Sequence, residues 1–146
     1  MPCDIFNLAR FTVAQDQVFA DVLEELKAGQ KRTHWMWFIF PQIAGLGRSE
    51  MARVYVIQSL DEAKAYLVHP VLGARLRECT TLVNQVQGRT ALQIFGSPDE
   101  MKFCSCMTLF ERASGRDSEF SAAINLYFGG NRDSATLDLL PKVQGN

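Results

Sequence analysis

Residues 31–42 read Lys-Arg-Thr-His-Trp-Met-Trp-Phe-Ile-Phe-Pro-Gln, and this stretch says most about how the chain folds. It holds both tryptophans, two of the ten phenylalanines and one of the two histidines. Bulky aromatic side chains bury large areas and often carry a polar group, so such a cluster forms part of the core or the wall of a pocket. Thr33 suits a helix N-cap and Pro41 cannot continue a helix, so the pattern favours a buried helix over a buried strand.

The composition is typical of one globular domain. The chain has 146 residues, of which 47% are hydrophobic and 21% charged, enough to bury a core. The net charge of −1 argues against nucleic acid or an anionic membrane surface as a partner. No apolar run reaches the roughly 20 residues of a membrane span, and the N-terminus lacks the pattern of a secretory signal. We therefore expect a soluble cytoplasmic protein.

The cysteines and histidines indicate neither a metal site nor a cofactor. Cys3, Cys79, Cys104 and Cys106 form no CxxC pair and have no histidine at ligand spacing. With two histidines in the chain, a histidine-rich metal site is excluded. Reduced, mostly buried thiols are the expected state.

Helix-start and helix-stop residues recur along the chain, whereas strand-like alternation does not persist. Ser97-Pro98-Asp99-Glu100 combines a cap, a first-turn proline and two first-turn carboxylates. Ser59 and Glu62 have the spacing of a capping box, in which Glu62 reaches back to the backbone N–H of the cap. The segment 91–96 is predicted to be a link. The remaining predicted features are a short helix capped by Asp4, a longer one from Val13 to Leu26 that ends at Gly29, helix starts at Ser49, Pro70, Asp117 and Asp133, and a stop at Gly129-Gly130.

These patterns predict an all-α fold, with residues 1–146 forming a single compact domain of about seven or eight irregularly packed helices. The helix lengths vary too much for a simple four-helix bundle.

His34 is the first candidate for chemistry, because a histidine beside a tryptophan can act as a general acid or base. A half-buried histidine bonded to a backbone carbonyl is the alternative. Trp35 and Trp37 likewise belong either to the core or to a platform on which a ligand stacks.

Two further groups suit an anionic ligand. In Gly45-Leu46-Gly47-Arg48-Ser49, the glycines allow close backbone approach, Arg48 offers a bidentate donor and Ser49 opens a helix. Lys102, Ser105 and Thr108 follow one flank of a predicted helix and can grip a phosphate or form a nucleophile and base pair. The alternatives are an ordinary turn and a polar helix edge.

The motif His34–Gln42, joined to the loop 45–49, strongly resembles a bacterial family, the domain of unknown function numbered 1810, whose members are sometimes labelled calpastatin. The resemblance covers nearly the whole chain and implies a compact, mainly helical single domain without a defined activity. An inhibitor of the calpastatin kind would be a long disordered chain, whereas this composition specifies a packed core. Further matching segments are Arg10-Phe11, Glu62-Ala63, Tyr66-Leu67, His69–Gly73, Glu78-Cys79, Ile94–Gly96, Ser105–Phe110 and Phe128–Gly130.

A more remote likeness is to the NADAR proteins, which are predicted to process ADP-ribose linkages. It rests on the order of Leu46-Gly47-Arg48, the helix through Ala63 and Tyr66, and the segment from Leu72 to Glu78. In such a protein, the chemistry of the residues, rather than the likeness itself, suggests that a tryptophan stacks a base while Lys31 or Arg48 holds phosphates. Glu78 or Asp99 would then stabilise an oxocarbenium-like centre or activate water.

Two functional hypotheses follow. The first is a protein that binds or processes a nucleotide-like or anionic small molecule of ADP-ribose or NAD type in a Trp-lined pocket. The second is a non-catalytic helical interaction module, whose aromatic face binds a protein partner or another copy to form a homo-oligomer. For the first, the candidate catalytic residues are His34, Glu78 and Asp99, and the candidate ligand-binding residues are Lys31, Arg32, Trp35, Trp37, Gln42, Arg48, Ser49, Lys102, Ser105 and Thr108.

Overall fold

A computed structural model describes residues 4–46 and 49–143, and within these ranges the chain is all-helical. The prediction of an all-α fold is confirmed, but the described residues form ten helices rather than seven or eight. No helix in these ranges is long and apolar enough to cross a bilayer. The helices are α1 (Ala9–Asp16), α2 (Phe19–Lys27), α3 (Met36–Ile39), α4 (Glu50–Val54), α5 (Leu60–Val68), α6 (Leu72–Gln85), α7 (Ala91–Phe95), α8 (Asp99–Ser114), α9 (Glu119–Phe128) and α10 (Ser134–Val143).

Two local features account for the larger number of helices. The predicted helix from Val13 to Leu26 is divided, because Val18 leaves helical geometry with φ −127° and ψ −3° and serves as the N-cap of α2. The predicted link at 91–96 contains α7, which Thr90 and Gln93 start with a reciprocal capping box. The prediction of a link was wrong, because the box is supplied by the residue just before that segment.

Several predicted helix starts also need correction. The short helix predicted at Asp4 is replaced by α1, whose N-cap is Leu8, and the N-cap of α9 is Ser118 rather than Asp117. Ser59 accepts the backbone N–H of Glu62 as predicted, but Glu62 does not return a bond to Ser59. Its carboxylate instead accepts the backbone N–H of Gln58 and pairs with the guanidinium of Arg10. Thr33 does not cap α3, which begins after Trp35 and spans four residues, because the Thr33 hydroxyl donates to Glu25. The caps at Ser49 and Gly129 are confirmed.

Helix α8 lies at the centre and packs against α5, α7, α9 and α10. Its Phe103 contacts Phe40 edge-on at 5.0 Å between ring centroids and stacks on Phe95 at 4.6 Å. Edge-on and offset arrangements suit the charge distribution of aromatic rings. This cluster joins the end of the 31–42 segment to α7 and α8, so the start of α8 lies next to that segment.

The corner between α5 and α6 depends on Gly73. A Cβ at this position would lie 2.0 Å from the carbonyl oxygen of Leu67, so any other residue would force the two helices apart. The close approach brings the end of α5 against the first turn of α6, and both helices then pack on the rest of the core.

Candidate functional site

The buried carboxylate of Glu25, at the end of α2, holds the first half of the 31–42 segment in place. Its Oε1 accepts the backbone N–H groups of Arg32 and Thr33 at 2.6 and 3.0 Å, and the indole Nε1–H of Trp35 at 3.0 Å. Its Oε2 accepts the Thr33 hydroxyl at 2.7 Å. Burial alone raises the pKa of Glu25, but these hydrogen bonds together outweigh it and hold the pKa below the ordinary value of 4.5. The group therefore stays an acceptor at neutral pH.

A second buried polar group, Gln15 of α1, holds the other half of the segment. Its Nε2 donates to the carbonyl oxygen of Phe38 at 2.7 Å, and so satisfies one of the carbonyls left free at the end of the short helix α3. The side chains of Phe38 and Phe40 are buried in the core. With both ends fixed, Trp35 points into the core and is 0% exposed, while Trp37 is only partly buried.

Beside Trp37, two lysines share one carboxylate. The Nζ of Lys31 lies 3.0 Å from Oδ2 of Asp99, and the Nζ of Lys102 lies 3.5 Å from Oδ1 of the same group. Each ammonium also lies over an indole ring, with Lys31 5.0 Å from the ring centroid of Trp35 and Lys102 5.4 Å from that of Trp37. The chain thus arranges two cations, one anion and two indoles as one connected group.

Each member of this group is positioned by a different element. The backbone N–H of Lys31 donates to the carbonyl oxygen of Ile94 in α7 at 2.7 Å, which fixes the position of Lys31 in its loop. Asp99 is the first residue of α8, where the helix N-terminus favours a negative charge, and Lys102 follows one turn later. The predicted strong start at 97–100 therefore does build part of the site, although Pro98 rather than Ser97 occupies the cap position.

Two adjoining clefts open around this group. The first, the Trp37 cleft, has a volume of about 220 Å³ and is lined by Lys31, His34, Met36, Trp37, Ser97, Pro98 and Asp99. The second, the Lys102 cleft, has a volume of about 260 Å³ and is lined by Gln42, Leu46, Pro98, Met101, Lys102, Ser105, Asp133 and Ala135. Pro98 lines both. Ligand sites commonly measure roughly 300–1,000 Å³, so a ligand of nucleotide size would need both clefts.

A network between α8 and the start of α10 forms the polar wall of the Lys102 cleft. Oδ2 of Asp133 accepts hydrogen bonds from the Ser105 hydroxyl at 3.0 Å and from the backbone N–H and hydroxyl of Thr136 at 3.1 and 2.5 Å. The backbone N–H of Asp133 donates to the Thr108 hydroxyl at 2.9 Å. Asp133 is therefore the N-cap of α10 as well as a group that lines the cleft.

The structure brings seven of the thirteen predicted site residues to these two clefts. Lys31, His34, Trp37 and Asp99 line the first, and Gln42, Lys102 and Ser105 line the second. They are separated by up to 74 positions in the sequence, from Lys31 to Ser105, and come from the loops before and after α3 and from α3 and α8.

The remaining six predicted residues lie elsewhere. Trp35 and Thr108 are 0% exposed, and each has its polar group bonded within the protein. Arg32 is exposed and faces a separate groove beside Glu24 and Glu25. The last three are Ser49, whose hydroxyl caps α4, Glu78, which is exposed on α6, and Arg48, which lies outside the described residues.

Sequence reasoning did not assign Asp133 to the site, nor the apolar floor of the Lys102 cleft formed by Leu46, Met101 and Ala135. Asp133 was recognised only as a helix start. Its place beside Ser105 depends on how α10 packs against α8, a contact across 28 positions that no local pattern encodes.

A larger cleft lies elsewhere, between α1 and the α5–α6 corner, and measures about 540 Å³. Its polar groups are already engaged. Asp4 accepts the N–H groups of Leu8 and Ala9, Nδ1 of His69 accepts those of Val71 and Leu72, and Arg75 pairs with Asp16. We call this the α1 cleft. Its size exceeds that of the other two, but its hydrogen-bonding groups are committed to the protein.

The described cysteines are poorly suited to nucleophilic chemistry. Burial raises the pKa of the Cys79 thiol to about 12 and that of Cys104 to about 11. Burial also raises the pKa of Cys106 well above its ordinary value. The thiolate is the reactive form, so these groups are largely unreactive at neutral pH. In the part of the chain that the structure describes, no group of three or more His, Cys, Asp or Glu side chains is arranged to hold a metal ion.

Comparison with known proteins identifies relatives over most of the chain. Residues 5–140 match the family described as "Protein of unknown function (DUF1810)". The crystal structure of the conserved hypothetical protein Rv1873 from Mycobacterium tuberculosis, at 1.38 Å, superposes with a TM-score of 0.93. Its sequence is 56% identical, and the match covers 94% of this chain and 99% of that one. Comparison with curated proteins gave no match. The chain therefore belongs to the DUF1810 family of proteins of unknown function.

Proposed function

We propose that the protein binds a nucleotide-like, anionic small molecule of ADP-ribose or NAD type across the Trp37 cleft and the Lys102 cleft. The observation that supports this most directly is the arrangement of Lys31, Asp99 and Lys102 beside the partly exposed indole of Trp37. An aromatic base can contact the indole, while an anionic group of the ligand meets the ammonium groups.

The charges of the Lys31–Asp99–Lys102 group favour an anion. One carboxylate pairs with two ammonium groups, so the Lys31–Asp99–Lys102 group by itself carries one net positive charge. The carboxylate of Asp133 lies in the Lys102 cleft, so the anionic part of the ligand is expected on the Lys31 side of the group. The side chain of Lys31 is only 7% exposed and that of Asp99 20%, so their charges are screened less than those of a surface pair. A phosphate or carboxylate that reaches them replaces water with charge-assisted hydrogen bonds.

His34 is the side chain best placed for proton transfer in a catalytic form of the proposal. It is exposed and lines the Trp37 cleft together with Asp99. Asp99 forms ion pairs with Lys31 and Lys102, so we assign it to positioning these lysines for ligand binding rather than to proton abstraction. Glu78 lines neither cleft, so the proposal gives it no part in the chemistry.

The test uses two single-tryptophan proteins. Trp35→Phe leaves Trp37 as the only indole, and Trp37→Phe leaves Trp35. Each is titrated with ADP-ribose, NAD and AMP while tryptophan fluorescence and thermal unfolding are followed. A ligand at 100 times its Kd adds about 2.7 kcal/mol to the free energy of unfolding, which is readily seen as a rise in Tm.

We expect at least one ligand to quench Trp37 in Trp35→Phe and to raise its Tm, with little change in the emission of Trp37→Phe. Absence of both responses with all three ligands would contradict the proposal. A rise in Tm without any change in Trp37 emission would instead direct attention to the α1 cleft. Loss of turnover in His34→Ala with binding retained would support the catalytic form.

A second candidate is a non-catalytic interaction module, as the sequence also allows. Burial of Trp35, Phe38 and Phe40 removes these side chains from any exposed aromatic face. Exposed apolar side chains do occur near the α1 cleft, where Val68 is 82% exposed and Val71 is 38% exposed. If this surface binds another copy of the chain, light scattering at rising concentration will show a dimer that Val68→Asp abolishes; a monomer throughout would leave a different protein as the partner.

A further inference from the structure

We infer that the Lys102 cleft binds a vicinal diol, such as the 2′ and 3′ hydroxyls of a pentose. The inference rests on the proposed function and concerns which part of the ligand occupies the second cleft. It follows from the fixed charges of that cleft and from the hydrogen-bonding capacity that its side chains retain.

The wall of the Lys102 cleft contains both hydrogen-bond donors and acceptors. Lys102 supplies a cation with three donor hydrogens, Asp133 supplies an anion, and Gln42 supplies an amide with both functions. These side chains come from α8, from the start of α10 and from the loop after α3, so no single helix end creates the site.

A hydroxyl is the ligand group that suits this pattern best. A phosphate in this cleft would meet the carboxylate of Asp133, and an amine would meet the ammonium of Lys102. A hydroxyl both donates and accepts, so one group can give its hydrogen to Asp133 and take a hydrogen bond from Lys102. Two adjacent hydroxyls can engage both charges at once, which is the arrangement that a pentose presents.

Asp133 retains the capacity to accept such a bond. Within the described part of the chain, its three accepted hydrogen bonds all fall on Oδ2, from Ser105 and Thr136. Ser105 is 5% exposed, so this carboxylate is held by a well-buried partner rather than by mobile surface groups. Oδ1 therefore remains an acceptor for a ligand hydroxyl, on a carboxylate whose orientation is already set.

The two clefts share part of their wall, as a site for a base and its pentose requires. Pro98 lines both clefts, and Lys102 of the second cleft lies over the indole of Trp37, which lines the first. A base in the Trp37 cleft would thus be followed directly by its pentose in the Lys102 cleft.

The experiment compares adenosine with 2′,3′-dideoxyadenosine, which lacks only the two hydroxyls. Their Kd values are measured through Trp37 emission in Trp35→Phe and by calorimetry with the unmodified protein. We expect adenosine to bind about tenfold more tightly or better, because each lost hydroxyl leaves a polar group of the cleft without its partner.

The substitution Asp133→Asn tests whether the carboxylate of Asp133 is responsible for the preference for adenosine. An asparagine keeps an oxygen that accepts the bonds from Ser105 and Thr136, and asparagine is a good N-cap, but it replaces the second oxygen with a donor. The variant should lower the affinity for adenosine to that of the dideoxy compound and leave the latter unchanged. Asp138→Asn, which removes the same charge from an exposed site on the same helix, should keep the tenfold preference. If Asp133→Asn does not fold, Lys102→Met carries the same expectation.

The outcomes separate this inference from the proposed function. Equal affinity for the two nucleosides, with quenching of Trp37 by both, would overturn the diol assignment and leave ligand binding at Trp37 standing. A preference for adenosine that persists in Asp133→Asn would also overturn it. Failure of both nucleosides to bind would refute the diol site, and the titrations with ADP-ribose, NAD and AMP would then decide the proposed function separately.

Discussion

Trp35 and Trp37 stand two residues apart in one short segment, yet Trp35 is completely buried whereas Trp37 is half-buried and lines a cleft. The difference comes from Glu25, which accepts the indole N–H of Trp35 and the two backbone N–H groups before it. This contact turns one indole inward, and the short helix α3 then turns the other toward Asp99 and Lys102. The same residue type thus contributes to stability at one position and is available for binding at the other.

The largest effect is expected from Trp35→Ala. Removing a fully buried indole leaves a cavity and strands the carboxylate of Glu25 without one donor, so the free energy of unfolding should fall by about 3–5 kcal/mol. Urea denaturation followed by circular dichroism measures this. A loss below about 1 kcal/mol would show that the indole does not fill the core.

Glu25→Gln should have the next largest effect. The amide keeps one acceptor oxygen for the three donors on Oε1 but carries no charge, and it replaces the oxygen that accepts the Thr33 hydroxyl with a donor. Hydrogen bonds to a charged group contribute about 1.5–3 kcal/mol, more than neutral ones, so the free energy of unfolding should fall by about 1–3 kcal/mol at neutral pH. Glu24→Gln, an exposed neighbour on the same helix, is the control and should change little. Equal effects of the two substitutions would refute the role given to Glu25.

The same carboxylate gives a pH dependence with a definite sign. The pKa of Glu25 is lower in the folded protein than its ordinary value of 4.5, so its contribution is complete well above pH 4.5. As the pH falls below this value, the unfolded chain binds the proton first, and stability is lost until the folded carboxylate is also protonated. The free energy of unfolding, measured at several acid pH values, should therefore fall less steeply with decreasing pH in Glu25→Gln than in the unmodified protein. Some dependence should remain, because hydrogen bonds from Arg132 also lower the pKa of Glu111.

Trp37→Ala should affect ligand binding much more than stability, in contrast to Trp35→Ala. The side chain is only partly buried, so the free energy of unfolding should change by at most about 1.5 kcal/mol, well below the effect at Trp35. Binding of the ligand that quenches Trp37 should be lost. Denaturation of the variant gives its free energy of unfolding, and calorimetry on the same preparation gives its affinity for the ligand. A stability loss as large as that of Trp35→Ala would place Trp37 in the core and remove the basis for the cleft.

Asp99→Asn should chiefly change ligand binding. The side chain of Lys31 is only 7% exposed, so its ammonium loses its carboxylate partner in a largely buried place, and the free energy of unfolding should fall by about 1–3 kcal/mol. The substitution frees both lysines, so affinity for an anionic ligand should rise and should depend more steeply on salt. Unchanged affinity and unchanged salt dependence would show that the lysines do not contact the ligand.

Much of the fold could be predicted from local chemistry. Ser49, Ser59 and Gly129 act at helix ends as their side chains or backbone freedom indicate, because caps depend on residues within one turn. Partners far away in the sequence could not be predicted. Glu62 has the spacing of a capping box, but Arg10, 52 positions earlier, takes its carboxylate in the folded chain.

The site shows the same limit. The sequence predicted that Lys31 and Lys102 bind an anion, that Trp37 stacks a base and that Asp99 takes part in catalysis, and in the structure these four residues lie together. Local patterns could not show that Lys31 and Asp99, 68 positions apart, form an ion pair. Local patterns also could not predict that Trp35 is buried and Trp37 lines a cleft, because the burial of Trp35 depends on the carboxylate of Glu25 in the preceding helix.

The most direct test of this account is fluorescence quenching by acrylamide and iodide in the two single-tryptophan proteins, after circular dichroism has shown that both fold. Trp35→Phe, which keeps Trp37, should emit at longer wavelength and be quenched readily. Trp37→Phe, which keeps Trp35, should emit at shorter wavelength and resist both quenchers. Equal quenching of the two indoles, or easier quenching of Trp35, would contradict the division between a core tryptophan and a cleft tryptophan on which the proposed site depends.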